Sequence, residues 1–80
     1  MNNIEMSNED KLKFIRGFSE LNGKYIVLKL QGKDYSKVLE DCKKTATVLL
    51  HNGIGNFDFS NDEAFEESMA DFFNSSISEN

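Results

Sequence analysis

The alternation of apolar and polar positions is most informative over residues 45–73. The β-branched and aliphatic run 45–50 suits a pleated, half-buried surface and predicts a strand. The Asn52-Gly53 pair that follows supplies the positive φ angles that a hairpin loop needs. A second strand is predicted over 56–60, where apolar and polar side chains alternate: Phe57, Asp58 and Phe59. These features together predict a β-hairpin.

A helix is predicted directly after this hairpin, over 61–74. Ser60 and Glu63 have the spacing of a capping box, and acidic side chains in a first turn suit the helix dipole. One face is apolar because four large side chains recur at helical spacing: Phe65, Met69, Phe72 and Phe73. The other face is acidic, with Asp62, Glu63, Glu66, Glu67 and Asp71.

The N-terminal part of the chain predicts a helix followed by a strand. Ser7 is a candidate N-cap, and the apolar stripe that follows predicts a helix to about Leu21, with Asn22-Gly23 as its stop. Period-2 alternation then predicts a strand over 24–31. Gly32-Lys33 has the residue order of a tight hairpin turn.

The segment 34–44 is compatible with two structures. As a strand it alternates poorly, although the preceding Gly-Lys turn favours a strand. As a helix it groups Tyr35, Val38, Leu39 and Cys42 on one face, and its residue propensities favour a helix. We adopt the strand and retain the helix as the alternative.

The predicted fold class is therefore α+β, a three- or four-stranded antiparallel sheet flanked by an N-terminal and a C-terminal helix. We expect a single small domain over residues 1–80, ordered over about 7–74 and loose at both ends. The predicted core consists of Leu12, Ile15, Phe18, Ile26, Leu28, Leu30, Val48, Leu50, Phe57, Phe59, Phe65, Met69 and Phe72.

Chain length and composition narrow the class of protein. A chain of 80 residues buries a thin core, so homodimerisation would add useful burial. Its single cysteine excludes an internal disulfide and suits a reducing compartment. No leader segment and no long apolar run is visible, and we therefore expect a cytoplasmic protein without membrane association.

The charges are distributed unevenly along the chain. Residues 1–56 contain all nine Lys and Arg and seven acidic residues, a balance of +2. Residues 57–80 contain seven acidic residues and no base, a balance of −7. Such asymmetry is informative about partners, and much less about fold.

Catalytic and metal-binding patterns are weak. Cys42 and His51 are the one thiol and the one imidazole, and no third group or oxyanion hole accompanies them, so we expect no enzyme. Asp58, Ser60 and Asp62 imitate the first ligands of a calcium-binding EF-hand loop. That pattern fails because a calcium-binding loop requires Gly at its sixth position and Glu at its twelfth, where this chain has Glu63 and Met69. We expect no metal and no cofactor.

The acidic helix is the strongest candidate site. An amphipathic helix needs a polar outer face, so a merely solvated surface is the plain alternative. Five like charges without a base in the same segment repel one another, however, and a basic partner would relieve that repulsion. The predicted partner is a larger, nucleic-acid-handling protein with a basic surface. The candidate contacts are Asp58, Asp62, Glu63, Glu66, Glu67 and Asp71.

Direct nucleic-acid binding is the competing hypothesis. Six lysines would line one edge of the sheet, and Tyr25 and Tyr35 would stack on bases. The net charge of −5 opposes this, because neutralisation of phosphates by Lys and Arg provides most of such affinity. We therefore expect a protein partner. The lysines in question are Lys24, Lys29, Lys33, Lys37, Lys43 and Lys44.

The order of predicted elements over about 8–74 resembles small acidic phage-encoded inhibitors, in particular compact anti-CRISPR and anti-restriction proteins. The features that resemble them are the first helix, the strand KYIVLKLQG, the turn at Asn52-Gly53, and FDFS leading into an acidic helix. The resemblance implies a non-catalytic inhibitor in the host cytoplasm whose carboxylates replace phosphates. Nine basic residues are more than a pure mimic would have, so the carboxyl-terminal third alone is the alternative contact surface.

A second stretch, LNGKYIVLKLQGKDYSKVLEDC, looks like the opening of Sm-like RNA-binding barrels. That resemblance implies an RNA-binding module. The glycine that bends the second strand of those barrels would fall near Lys37 and is missing, and the acidic helix also departs from their pattern.

Overall fold

The computed structural model describes residues 7–78 and the side chains of 7–74. It contains three helices, α1 (Asn8–Leu30), α2 (Ser36–His51) and α3 (Asp62–Ser78), and no strand in the described part of the chain. The α+β prediction with its antiparallel sheet is therefore wrong, and the fold is all-α. The predicted loose ends at 1–6 and 79–80 lie outside the described residues, whereas the backbone of 74–78 is helical.

Helix α1 begins where the sequence predicts and ends much later. The Ser7 hydroxyl oxygen accepts a hydrogen bond from the Asp10 N–H at 3.2 Å, which confirms the predicted cap. The helix does not stop at Asn22-Gly23, and the predicted strand 24–31 forms its last two turns. Gly23 has no positive φ, so the residue lowers helix propensity without ending the helix.

The predicted hairpin turn at Gly32-Lys33 is instead the C-terminal end of α1. This glycine has a φ of 70°, and its N–H donates to the Lys29 carbonyl at 3.1 Å. The Lys33 N–H donates to the Leu28 carbonyl at 2.9 Å. This pair of bonds is a Schellman motif, which closes a helix through a left-handed residue.

The same motif ends α2 at the predicted Asn52-Gly53 hairpin. Gly53 has a φ of 75°, and its N–H donates to Leu50 while the Ile54 N–H donates to Leu49, both at 2.9 Å. A glycine with positive φ serves hairpins and helix ends equally well, so the residue pair alone cannot distinguish them.

Helix α2 contains residues 36–44 of the ambiguous segment and all of the predicted strand 45–50. The helical alternative for 34–44 is correct, and the adopted strand is wrong. The Thr45 and Thr47 hydroxyls donate to carbonyls one turn earlier, at 3.0 and 2.9 Å, which accommodates these β-branched residues in a helix. The buried side of α2 has regular helical spacing: Leu39, Cys42, Ala46 and Leu49.

The predicted strand 56–60 is an irregular loop that leads to α3. Phe57 is buried against Phe18, with ring centroids 5.4 Å apart at 85°. Helix α3 begins one residue later than predicted and uses a different cap, because the Asn61 side-chain oxygen accepts the Ala64 N–H at 2.8 Å. Ser60, the predicted cap, instead donates to the Asp58 carboxylate.

The core confirms only part of the predicted set. Phe18, Phe57, Phe65 and Met69 are buried, while Ile15, Leu50 and Phe72 pack partly against them. Exposure contradicts the prediction for Leu12, Ile26, Leu30 and Phe59. The core residues that the sequence analysis missed all come from segments predicted as strands: Tyr25, Leu39, Cys42, Ala46 and Leu49.

Candidate acidic interaction surface

Helix α3 presents three kinds of side chain around its axis. Phe65 and Met69 are fully buried and face α1 and α2. Asp62 and Glu66 contact lysines of the other helices. A third line faces away from the rest of the protein and is exposed at every position: Glu63, Glu67, Ala70 and Asp71. The acidic surface therefore divides into a paired part and an outward part.

The paired acids are held from two different helices. The Lys29 ammonium of α1 donates to Glu66 Oε1 at 2.6 Å, and the Lys43 ammonium of α2 donates to Asp62 Oδ1 at 2.8 Å. The hydrogen bond from Lys29 to Glu66 raises the pKa of the Lys29 ammonium. These two carboxylates are engaged with lysines within the molecule, and their contact with a partner stays a prediction.

The outward acids have no such partner. Among the described residues, no basic nitrogen lies within 4.0 Å of the carboxylates of Glu63, Glu67 or Asp71. Their spacing of four residues places successive Cβ atoms about 6 Å apart along one side of the helix. We call these three residues the acidic stripe.

Asp58 lies outside the acidic stripe, in the loop before α3. Its carboxylate accepts hydrogen bonds from the Ser60 hydroxyl at 2.5 Å and the Ser60 N–H at 2.9 Å, and these two bonds lower its pKa. The Asp58 N–H donates to the Ser68 hydroxyl oxygen at 3.2 Å. Asp58 thus shapes the turn and connects the loop to α3.

Of the six predicted contact residues, the structure brings three together in the acidic stripe, pairs two with lysines and places Asp58 in a turn. The sequence analysis missed Lys29 and Lys43 as the neutralising groups. No local pattern reveals them, because they lie 37 and 19 residues away from Glu66 and Asp62 along the chain.

The proposed base-stacking surface is absent from this fold. Tyr25 is buried, and the half-buried ring of Tyr35 packs edge-on against it at 5.0 Å. Burial raises the pKa of the Tyr25 hydroxyl, with the nearby Glu66 carboxylate adding to the effect. An Sm-like barrel requires strands, and residues 7–78 contain none. Two of the six lysines are engaged with carboxylates of α3.

Cys42 and His51 do not form a catalytic pair. Cys42 is buried, and burial followed by the Asp41 charge raises the pKa of its thiol to about 11. His51 is exposed at the end of α2, about two and a half turns from Cys42, which places the two side chains on opposite faces and about 13 Å apart along the axis. The absence of enzymatic activity stays a prediction.

Metal binding and membrane insertion each require a particular arrangement of side chains. The described residues contain no group of three or more His, Cys, Asp and Glu side chains that could hold a metal ion. None of their helices combines the length and the apolar composition that a membrane crossing needs.

Comparisons of the chain with protein-family models, with curated proteins and with solved structures found no match.

Proposed function

We propose that this protein is a non-catalytic inhibitor that binds a basic, nucleic-acid-binding surface of a larger protein. The acidic stripe, Glu63, Glu67 and Asp71, provides the contact. The observation that supports the proposal is the contrast within α3: the acids beside the other helices are neutralised by lysines, whereas the outward acids face no base among the described residues. A surface with phosphate-binding lysines and arginines would relieve this repulsion.

The partner class follows from the resemblance to phage-encoded inhibitors. A CRISPR or restriction effector in the host cytoplasm has an extended basic groove for DNA, which a row of carboxylates can occupy. The structure removes the strands and the hairpin from the layout on which that resemblance was based, while a capped first helix and an acidic last helix remain. The resemblance itself stays a prediction.

A competition experiment tests the proposal. Increasing amounts of the protein are added to a purified CRISPR effector nuclease or restriction endonuclease, and binding of labelled target DNA is measured by fluorescence anisotropy. We expect the protein to displace DNA from at least one such effector. Because the contact is ionic, we also expect its affinity for the effector to fall as salt is raised.

A matched pair of variants connects this result to the acidic stripe. Glu63→Gln with Glu67→Gln removes two stripe charges, and Glu20→Gln with Glu40→Gln removes two exposed charges from α1 and α2. Both proteins have the same net charge. We expect the stripe variant to bind at least about tenfold more weakly and the control to bind like the wild type. Equal affinities would exclude the stripe as the contact, and retention of RNA or DNA by the wild type at physiological salt would favour a nucleic-acid-binding module.

A further inference from the structure

The acids of α3 form two adjacent rows along the helix. Asp62 and Glu66, four positions apart, lie beside the other helices, and we call them the inner row. The second row is the acidic stripe. Glu66 follows Glu63 by three positions, and side chains three apart are neighbours on a helix surface. A partner that contacts the stripe therefore lies next to the inner row as well.

The inner row already holds two ammonium groups. Lys29 Nζ lies 2.6 Å from Glu66 Oε1, and Lys43 Nζ lies 2.8 Å from Asp62 Oδ1. The contacts show that this side of α3 binds the kind of cation that a basic protein surface presents. They also mean that the inner row adds little negative charge to the surface of the free protein.

Both ion pairs are open to water. The exposed fraction of the side chain is 65% for Asp62 and 34% for Lys43, and the other pair is also partly exposed. Ion pairs as exposed as these contribute little to stability, so other cations can replace the lysines at low cost. A partner can also approach Asp62 from solvent while Lys43 is still bound.

Loss of the two ion pairs does not detach α3, because apolar contacts hold this helix. Phe65 and Met69 are fully buried. The ring centroids of Phe72 and Phe73 lie 5.8 Å and 5.2 Å from that of Phe18. The inner row can therefore exchange its cations while α3 keeps its position on the other two helices.

Each lysine has a second favourable contact close to its present position. Lys29 Nζ lies 5.7 Å from the centroid of the Tyr25 ring, a cation–π contact that does not require Glu66. Lys43 lines the same cleft as Asp34, which offers its ammonium a second carboxylate when a partner takes Asp62. Both lysines can thus leave the inner row and remain on the protein surface.

We propose that Lys29 and Lys43 mask the inner row in the free protein, and that a partner with a dense cluster of lysines and arginines displaces them and contacts both rows of α3. This inference rests on the proposed function, because it takes α3 as the contact surface. It adds a requirement for the partner. Each internal lysine is tethered beside its carboxylate at a high effective concentration, so an isolated cation does not replace it, whereas several cations on one surface do.

Affinity for a dense basic probe tests the masking. A labelled octalysine peptide is titrated with the full-length protein at low salt, and its dissociation constant is measured by fluorescence anisotropy. Lys29→Met with Lys43→Met removes the masking ammonium groups and keeps an unbranched apolar side chain at each position. Lys24→Met with Lys44→Met is the matched control, because it removes one exposed lysine from each of the same helices and gives the same net charge.

We expect the unmasked variant to bind octalysine at least about threefold more tightly than the control, since two more carboxylates become available. Far-UV circular dichroism confirms that both variants remain helical. Equal affinities would overturn the masking. If octalysine binding were insensitive to the lysine changes but weakened by Glu63→Gln with Glu67→Gln, masking would be wrong while the proposed contact through the acidic stripe would stand.

Neutralising the inner row identifies the carboxylates responsible for the gain. Asp62→Asn and Glu66→Gln are added to both the unmasked variant and its control. We expect the two resulting proteins to bind octalysine equally, because neither has a charged inner row. A difference that persists would mean that the removed lysines act at other carboxylates, and it would contradict the proposed displacement.

NMR of the isotopically labelled wild type follows the displacement without any substitution. We expect unlabelled octalysine to shift the side-chain Cε resonances of Lys29 and Lys43 as it binds, with little change at Lys24. A dilysine peptide at the same total concentration of ammonium groups should produce a much smaller shift. Unchanged Lys29 and Lys43 resonances at saturating octalysine, or equal shifts with dilysine, would overturn the proposal.

Discussion

The helical hairpin formed by α1 and α2 and the C-terminal part formed by residues 52–78 are stabilised in different ways. The hairpin is closed by a short connection and by the aliphatic side of α2 packed on α1. The C-terminal part contains five of the seven phenylalanines and adheres to the hairpin mainly through rings that surround Phe18. Two ion pairs, from Lys29 and Lys43, complete this contact.

The contacts between the two parts show which acidic residues are neutralised within the protein and which are not. All the bases lie in residues 1–56, and two of them reach across to α3, where they neutralise the acids that face the hairpin. The acids that face outward receive no such contact from the described residues. The count of charges along the sequence therefore overstates the surface available to a partner, since part of it stabilises the attachment of α3.

The largest expected effect is loss of the aromatic contact between the two parts. Phe18 is fully buried, with ring centroids 5.4 Å from Phe57, 5.8 Å from Phe72 and 5.2 Å from Phe73. Phe18→Ala should lower the free energy of unfolding by about 3–5 kcal/mol in urea denaturation. Hydrogen exchange should increase more in α3 than in α2, because α3 loses its main contact.

Phe14→Ala is the control for this change, since Phe14 lies on the same helix and is partly exposed. It should cost much less stability than Phe18→Ala. Equal losses for the two variants, or faster exchange throughout the molecule to the same extent, would mean that the C-terminal part is not attached mainly through Phe18.

A smaller effect is expected from Gly55 in the loop that positions Phe57. Gly55 has a φ of 82°, and a Cβ atom there would lie 2.5 Å from Phe57 Cε2 and 3.3 Å from Phe72 Cδ1. Gly55→Ala should therefore destabilise the protein by about 1–3 kcal/mol through backbone strain and displacement of Phe57. Thermal unfolding measures this loss.

Gly17→Ala is the matched glycine variant in the hairpin. Gly17 is inside α1, and a Cβ atom there would meet nothing within 4 Å. We expect this variant to gain up to about 1 kcal/mol, because alanine favours helix. A loss of stability at Gly17 would reveal a contact that the fold does not explain.

The starts of α1 and α3 were predictable from the sequence because they depend on local chemistry. Ser7 caps α1 as expected, and α3 begins within one residue of its predicted start. Residues 24–60 were misassigned because β-branched residues favour strands when only the local sequence is considered. The pairs Gly32-Lys33 and Asn52-Gly53 likewise favour hairpin turns. Tertiary packing overrides these weak preferences.

The segments 34–44 and 45–50, which were assigned as strands, contain an apolar pattern with the period of a helix. The helical alternative for 34–44 groups Leu39 with Cys42, and the same period continues to Ala46 and Leu49. Extending the apolar pattern across residue 44 would have favoured one long helix. The alternation over 24–31 was misleading. It predicted that Ile26, Leu28 and Leu30 face the core, whereas Tyr25, on the opposite face of that predicted strand, is the buried residue.

The candidate site was only partly predictable for a different reason. The acidic character of α3 and its outward face follow from helical periodicity within one segment. The pairing of Glu66 and Asp62 depends on lysines brought close by the fold, and a single sequence gives no information on such contacts. Three of the six predicted contact residues therefore remain in the proposed site.

The ion pairs between the two parts should have a modest effect on stability. Lys29 and Glu66 are partly exposed, at 44% and 31% of their side chains, so a double-mutant cycle with Lys29→Met and Glu66→Gln should give a small but measurable coupling. The coupling should fall as salt is raised. Glu67→Gln, one position along α3 but without a lysine partner, should show no coupling to Lys29→Met. Equal coupling at positions 66 and 67 would remove the distinction between paired and outward acids.

The smallest expected effect concerns a motif that the two parts share. An Asp-x-Ser sequence leads into α2 at Asp34–Ser36, and another lies just before α3 at Asp58–Ser60. In each, the serine N–H and hydroxyl donate to the aspartate carboxylate, which lowers the pKa of that carboxyl. A lowered pKa means that the contribution to stability is present above the ordinary value of 3.8 and is lost as the pH falls through the folded value.

Ser60→Ala should raise the pKa of Asp58 towards 3.8 without reaching it, because the backbone N–H still donates, and it should leave the pKa of Asp34 unchanged. Ser36→Ala should do the reverse. NMR titration of the side-chain carboxyl carbons measures both groups in one sample. If Asp58 in the wild type titrated at its ordinary value, its carboxylate would be free in solution, and it would rejoin the outward acids as a candidate contact for a basic partner.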